Sequence, residues 1–141
     1  MKTRVLFLCT GDSVRSQMAE GLLRHMAADR FDVFSAGVEP KEVNPLAIAV
    51  MKELSIDISK QKSKSVNEFV SQKFDYIITL CDNAKQTCPF FPGKAERLHW
   101  DLEDPAAAVG SEEERLAVFR RIQAAILENI YSFINAGEKK E

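Results

Sequence analysis

The sequence predicts a three-layer α/β/α domain built around a four-stranded parallel sheet, and three observations predict it. Short apolar runs alternate with stretches whose apolar residues recur every three to four positions, so strands alternate with helices. The first run, Val5-Leu6-Phe7-Leu8, passes through Cys9-Thr10-Gly11-Asp12-Ser13-Val14-Arg15-Ser16 directly into a helical pattern. No second pattern follows, and 141 residues match the length of one domain with enough apolar content for a core.

The first run is too short to cross a membrane and reads as a buried strand, while Met18, Leu22 and Met26 mark a helix ending near Asp29-Arg30. Phe31-Asp32-Val33-Phe34-Ser35-Ala36-Gly37 is the second strand, closed by glycine, which completes a parallel crossover unit. Asn44-Pro45 supplies a cap and a first-turn proline to the second helix, whose expected buried stripe is Ala47, Ile48, Met51 and Leu54. Ile56-Asp57-Ile58 is too short to assign, residues 59 to 65 read as a loop, and a short helix fits Val66 to Val70.

Phe74-Asp75-Tyr76-Ile77-Ile78-Thr79-Leu80 is the third strand and ends at Cys81, as the first ends at Cys9. Residues 82 to 88 are compatible with a helix that Pro89 and Pro92-Gly93 stop. Arg97-Leu98-His99-Trp100 is the fourth strand and delivers Asp101-Leu102-Glu103-Asp104-Pro105 to the same edge of the sheet. Ser111 and Glu114 form a capping box, and Leu116, Phe119, Ile122, Ile126, Ile130 and Phe133 mark one face of a last helix ending near Gly137.

Cys9 therefore falls at a strand-to-helix turn, where the amides of residues 10 to 16 and the first helical turn have no intrahelical partners and can converge on one oxyanion. Gly11 is expected to let this backbone curl, and the planar fork of Arg15 suits two oxygens of a tetrahedral anion. The same positive field favours a thiolate, and hence a nucleophile, at Cys9. The competing structural reading is a buried strand-end cysteine with an arginine on the helix surface. In an open parallel sheet the ligand crevice lies beyond the carboxyl ends of the strands, so Cys9 and Cys81 can share one site.

A net charge of −2 argues for neither nucleic acid nor an anionic membrane as partner. There is no run of eighteen apolar residues and no signal-peptide pattern, so a cytoplasmic protein is expected, and a monomer. In that compartment three cysteines are catalytic, metal-binding or inert rather than structural bridges. His25 and His99 lack zinc spacing; His25 is expected on the exposed side of the first helix, His99 beside a strand end, and Trp100 in packing.

Cys9-Thr10-Gly11, Ser13, Arg15-Ser16-Gln17-Met18-Ala19-Glu20-Gly21, Ser35-Ala36-Gly37, Asn44-Pro45, Thr79-Leu80-Cys81, Cys88-Pro89, His99-Trp100 and Asp104-Pro105-Ala106 resemble, in order and spacing, the thioredoxin-coupled arsenate reductases. That family shares the low-molecular-weight tyrosine phosphatase fold. The resemblance implies that Cys9 attacks arsenate held by residues 10 to 16, with Asp104 protonating the departing oxygen. Cys81 would then attack the Cys9 adduct, releasing arsenite and leaving a Cys9–Cys81 disulfide, and Cys88 would convert it to Cys81–Cys88 for reduction by thioredoxin. Seven helical residues separate Cα atoms by about 10 Å. A disulfide needs less than about 7 Å, so residues 81 to 88 would have to unwind on oxidation.

The chain departs from the family pattern in places. Asp12 replaces the usual asparagine, and its charge would raise the Cys9 pKa and repel a dianion unless neutralised. The resemblance implies potassium beside the loop, at positions matching Asp12, Glu20, Ser35 and Lys64. An acid is expected at the last of these, so Lys64 either replaces the ion with its ammonium group or is merely solvated. Val14 stands where many relatives have a fourth cysteine. A low-molecular-weight tyrosine phosphatase is the rival reading, disfavoured by Cys81, Cys88 and the absence of an aromatic residue at Ala106; a non-catalytic oxyanion sensor is the second.

Overall fold

The computed structural model describes residues 2–80 and 95–139, with side chains to residue 136. Its elements are β1 (Thr3–Cys9), α1 (Arg15–Ala27), β2 (Phe31–Gly37), α2 (Pro45–Lys52), a 3-10 turn (Val66–Glu68), β3 (Tyr76–Thr79), β4 (Glu96–His99), a second 3-10 turn (Pro105–Ala107) and α3 (Glu112–Lys139). The four strands form one parallel sheet in the order β2-β1-β3-β4. β1 is interior, and Val5 to Cys9 are almost fully buried because both faces of the strand are covered. β4 is an edge strand and exposes Glu96 and Arg97.

The two sheet faces follow the period of two. Phe31 and Tyr76 meet Phe133 of α3 at ring-centroid distances of 5.5 and 4.9 Å, and Trp100 bridges Phe7 and Phe133. Helices α1 and α2 both pack against α3. On the other face Phe34 stacks edge-on with Phe69 and Phe74, and the Arg4 guanidinium lies 4.8 Å from the Phe34 and Phe74 rings. Phe74 thus belongs to this cluster, and β3 begins at Tyr76 rather than at the expected Phe74.

The second helix differs from its sequence reading at its end. α2 stops at Lys52, and the chain reverses through Ser55, whose φ of 62° lies in the left-handed region. The Ile56 N–H bonds back to the Met51 carbonyl at 3.1 Å, so Ile56 enters the core and Leu54 points outward, 42% exposed. The buried stripe is Ala47, Val50 and Met51, with Ile48 half-buried. In α3 the expected face holds: Phe119, Ile122, Ile126 and Ile130 are buried, and the Ser111–Glu114 capping box closes its start. The helix continues through Gly137 to Lys139, past its expected end.

The chain runs outward from β1 to β2 and returns across β1 to β3, so the topological switch point lies at the carboxyl end of β1. Cys9 is the last residue of that strand.

Candidate active site

What shapes the loop after β1 is a row of hydrogen bonds to its carbonyls. The N–H groups of Glu39, Lys41 and Asn44 donate to the carbonyls of Thr10, Gly11 and Ser13 at 2.9, 2.8 and 3.0 Å. The Asp12 carbonyl accepts from Ser63 Oγ at 2.5 Å and Gln17 Nε2 at 3.1 Å. With their four successive carbonyls occupied by other parts of the chain, the path of residues 10 to 13 is fixed. The left-handed turn that this path needs falls at Asp12, with φ 47°, and not at Gly11. Gly37 makes room for it: a Cβ there would lie 2.7 Å from Asp12 N and 2.8 Å from the Thr10 carbonyl oxygen.

The loop borders a cavity of about 100 Å³ lined by Cys9, Thr10, Gly11, Ser13, Val14, Arg15, Lys41, Asp104 and Ala106. The N-cap residue of α1, Val14, offers no side-chain cap, and of the first-turn amides that of Ser16 faces the Cys9 sulfur. Arg15 is 6% exposed; its Nη1 donates to the Leu102 carbonyl at 3.0 Å and its Nη2 lies 3.7 Å from Asp104 Oδ2. Arg15 thereby ties the segment after β4 to the loop. Asp104 makes two contributions to the structure: its Oδ1 accepts from Ala106 N–H and starts the second 3-10 turn, while its half-exposed carboxylate lines the cavity.

Cys9 Sγ sits 2.9 Å from Ser16 Oγ, which donates to Asp12 Oδ1 at 2.6 Å. The Ser16 hydroxyl thus stands between the sulfur and the Asp12 carboxylate, and either it or the thiol can be the donor in the first contact. Burial raises the Cys9 thiol above its ordinary value, the hydroxyl and N–H of Ser16 and the Arg15 guanidinium pull it down, and Asp12 pushes it up again. The expected preference for thiolate thus meets a burial cost that composition does not show. Burial likewise raises the Asp12 carboxyl, opposed by the Ser16 hydroxyl, the Lys64 N–H and the Lys64 ammonium.

A buried cysteine and arginine on a loop at the switch point are what a phosphate-type anion site requires, and the comparisons agree. The model of the low molecular weight phosphotyrosine protein phosphatases matches residues 4–141. The chain belongs to that family. Within it, the chain is 47% identical over 137 residues to an arsenate reductase of Halalkalibacterium halodurans, covering 97% of this chain and 99% of that one. A solved arsenate reductase in its oxidized state superposes with a TM-score of 0.82 at 34% identity, covering 96% of this chain and 98% of the other. The thioredoxin-dependent arsenate reductase of Corynebacterium glutamicum superposes with a TM-score of 0.71 at 32% identity, covering 96% of this chain and 63% of that one.

In this phosphatase-family chain the structure brings Cys9, Thr10, Gly11, Ser13, Val14, Arg15 and Asp104 around one cavity, whereas Asp12 and Ser16, expected among the oxyanion-binding residues, are fully buried beside Cys9 and do not line it. Cys81 and Cys88 lie outside the described residues. Leu80, immediately before Cys81, donates its N–H to the Leu8 carbonyl at 2.9 Å, so the chain next to Cys81 is paired with the chain next to Cys9. His25 is exposed on α1, and His99 Nδ1 lies 2.6 Å from Thr79 Oγ1. Among the described residues no cluster of three or more His, Cys, Asp or Glu is arranged for a metal ion, and no helix is long and apolar enough to cross a membrane.

The potassium position implied for the family does not fit these residues. Lys64 Nζ lies 3.4 Å from Ser35 Oγ, 3.7 Å from Glu20 Oε1 and 3.8 Å from Asp12 Oδ2, which puts an ammonium group among the oxygens an ion would need. Four contributors escaped the sequence reading: Lys41 at the cavity rim, the Gln17–Gln61 pair that braces the loop from behind, Ser63, and Gly37 as a steric requirement. Gln17 and Gly37 stand within the quoted family motifs, but nothing there marks their bracing and steric roles.

Proposed function

We propose that this single-domain chain is a cytoplasmic arsenate reductase recycled by a thioredoxin-type dithiol. The observation that carries the reading is the buried Cys9 in a cup formed by its loop and Arg15, in a chain whose relatives at nearly full length are named arsenate reductases. Arsenate sits in the cup with its oxygens on the amides of residues 10 to 16 and on Arg15. Burial holds the proton on Cys9, so the entering dianion takes it and leaves the thiolate to attack arsenic. Asp104 protonates the departing oxygen, which leaves as water, and a sulfur–arsenic bond remains.

The Cys81 thiolate attacks Cys9 Sγ, and the sulfur–arsenic electron pair goes to arsenic, which departs as arsenite. A Cys9–Cys81 disulfide results. Cys88 attacks Cys81 and frees Cys9 as thiolate, and the Cys81–Cys88 disulfide takes two electrons from the external dithiol. The pairing of Leu80 with Leu8 supports this sequence by bringing the chain before Cys81 to the end of β1.

Phosphatase chemistry is the second reading, favoured by the same loop, arginine and aspartate. Ala106 at the cavity rim offers no aromatic wall for a phenyl ring. Arsenate-dependent oxidation of thioredoxin, measured beside hydrolysis of an aryl phosphate, tests the assignment. Turnover of arsenate with weak phosphate-ester hydrolysis is expected; the reverse order overturns it, and binding of arsenate with neither activity leaves an oxyanion sensor.

A further inference from the structure

A second charged cluster abuts the loop at Asp12. Asp12, Glu20 and Ser35 are buried, and the Lys64 ammonium lies within 3.8 Å of an oxygen of each. Two carboxylates this far from solvent repel each other and lose hydration, so a cation between them favours their charged forms. The Lys64 N–H donates to Asp12 Oδ2 at 2.9 Å, and Lys64 Nζ donates to the Lys62 carbonyl at 2.5 Å. One residue thus orients the Asp12 carboxylate through its backbone and neutralises it through its side chain. Arg24 takes the other oxygen of Glu20 at 2.6 Å, so the second carboxylate is also held from the opposite side.

We infer that the Lys64 ammonium is a tethered cation that holds Asp12 and Glu20 together beneath the oxyanion loop and makes that loop independent of free monovalent ions. Lys64 is then a positioning residue. It acts on Cys9 through Asp12 and Ser16, because the Ser16 hydroxyl that donates to Asp12 is 2.9 Å from the sulfur. The inference rests on Cys9 as the nucleophile proposed above, but its test reads stability and thiol reactivity, so arsenate turnover failing would leave it standing.

Replacing Lys64 by alanine vacates a position bordered by oxygens of Asp12, Glu20, Ser35 and Lys62, a donor set for a hard monovalent cation. The measurement is made in a Cys81→Ser, Cys88→Ser chain, where Cys9 is the one remaining thiol. Potassium chloride is exchanged for choline chloride at constant ionic strength, and melting temperature and the rate of Cys9 alkylation are followed. In Lys64→Ala, potassium is expected to raise the melting temperature by roughly 5 °C. It should also bring the alkylation rate back to within about threefold of the unsubstituted chain. With Lys64 present the same exchange should move the melting temperature by less than about 1 °C. Adding Asp12→Asn to Lys64→Ala should cut the potassium response by more than half. The inference is overturned if the chain with Lys64 responds as strongly as the variant, or if Lys64→Ala responds to no cation. Lys64→Gln substitutes if the alanine variant does not fold; should neither fold, a potassium-specific rise of several degrees with Lys64 present overturns the inference and indifference supports it.

Discussion

Gly37 carries a steric demand that its position at a strand end does not advertise. An added Cβ would meet backbone atoms of Thr10, Gly11 and Asp12 at 2.7 to 2.9 Å, none of which can rotate away. Gly37→Ala is therefore expected to displace the cup and weaken oxyanion binding by about tenfold or more. Isothermal titration with phosphate or arsenate checks it, and an unchanged affinity would contradict the packing described. Asp104→Asn separates chemistry from architecture. Asparagine can still accept the Ala106 N–H and start the turn, but it cannot give a proton to a leaving oxygen. Arsenate turnover should fall by about a hundredfold or more with the melting temperature unchanged. Ser16→Ala removes a hydroxyl that lowers the Cys9 pKa, so the pH at which alkylation reaches half its maximum should move up and the rate at neutral pH should fall. A downward move would show that the hydroxyl stabilises the thiol instead. The joint place of Cys9 and Arg15 on one loop was legible from residue type and spacing, and that of Asp104 from the family resemblance. The bracing of the loop was not, because its donors are largely backbone N–H groups brought from residues 39 to 44 by tertiary structure.

At the scale of elements, helices and strands were readable wherever apolar periodicity ran long enough. α3 keeps its predicted face across residues 116 to 133, and β1 and β2 fall where the apolar runs lie. The miss at Leu54 has a local cause: α2 ends one turn early by a reversal at Ser55, a residue without the usual glycine signature of a left-handed helix end. Ser55→Gly should relieve that conformation and stabilise the fold by about 1 kcal/mol. Urea denaturation measures it, and a loss of stability would mean that the Ser55 side chain has an energetic role of its own. Gly21 is the opposite case. A Cβ there would approach Ile58 Cγ2 to 2.7 Å and Met51 Cε to 3.1 Å, so α1 lies against residues 51 to 58 only because the side chain is absent. Gly21→Ala should cost about 1 to 3 kcal/mol in the same experiment.

For the molecule as a whole, the order β2-β1-β3-β4 sets the end of β1 beside that of β3 and lets the segment after β4 bring Asp104 to the cavity. The parallel sheet was foreseeable from alternation. What no pattern in the chain reveals is that two further segments, residues 39 to 44 and 61 to 63, close around the same eight residues that the segment after β4 reaches. The proposed reaction uses that convergence in two halves: the cup makes the sulfur–arsenic bond, and the downstream cysteines carry the oxidation away. Counting arsenite released per chain by Cys88→Ser, with thioredoxin and its reductase in excess, separates the halves most directly. One equivalent followed by arrest at a Cys9–Cys81 disulfide is the predicted result, and continued turnover without Cys88, or arsenite formed by Cys9→Ser, would contradict it.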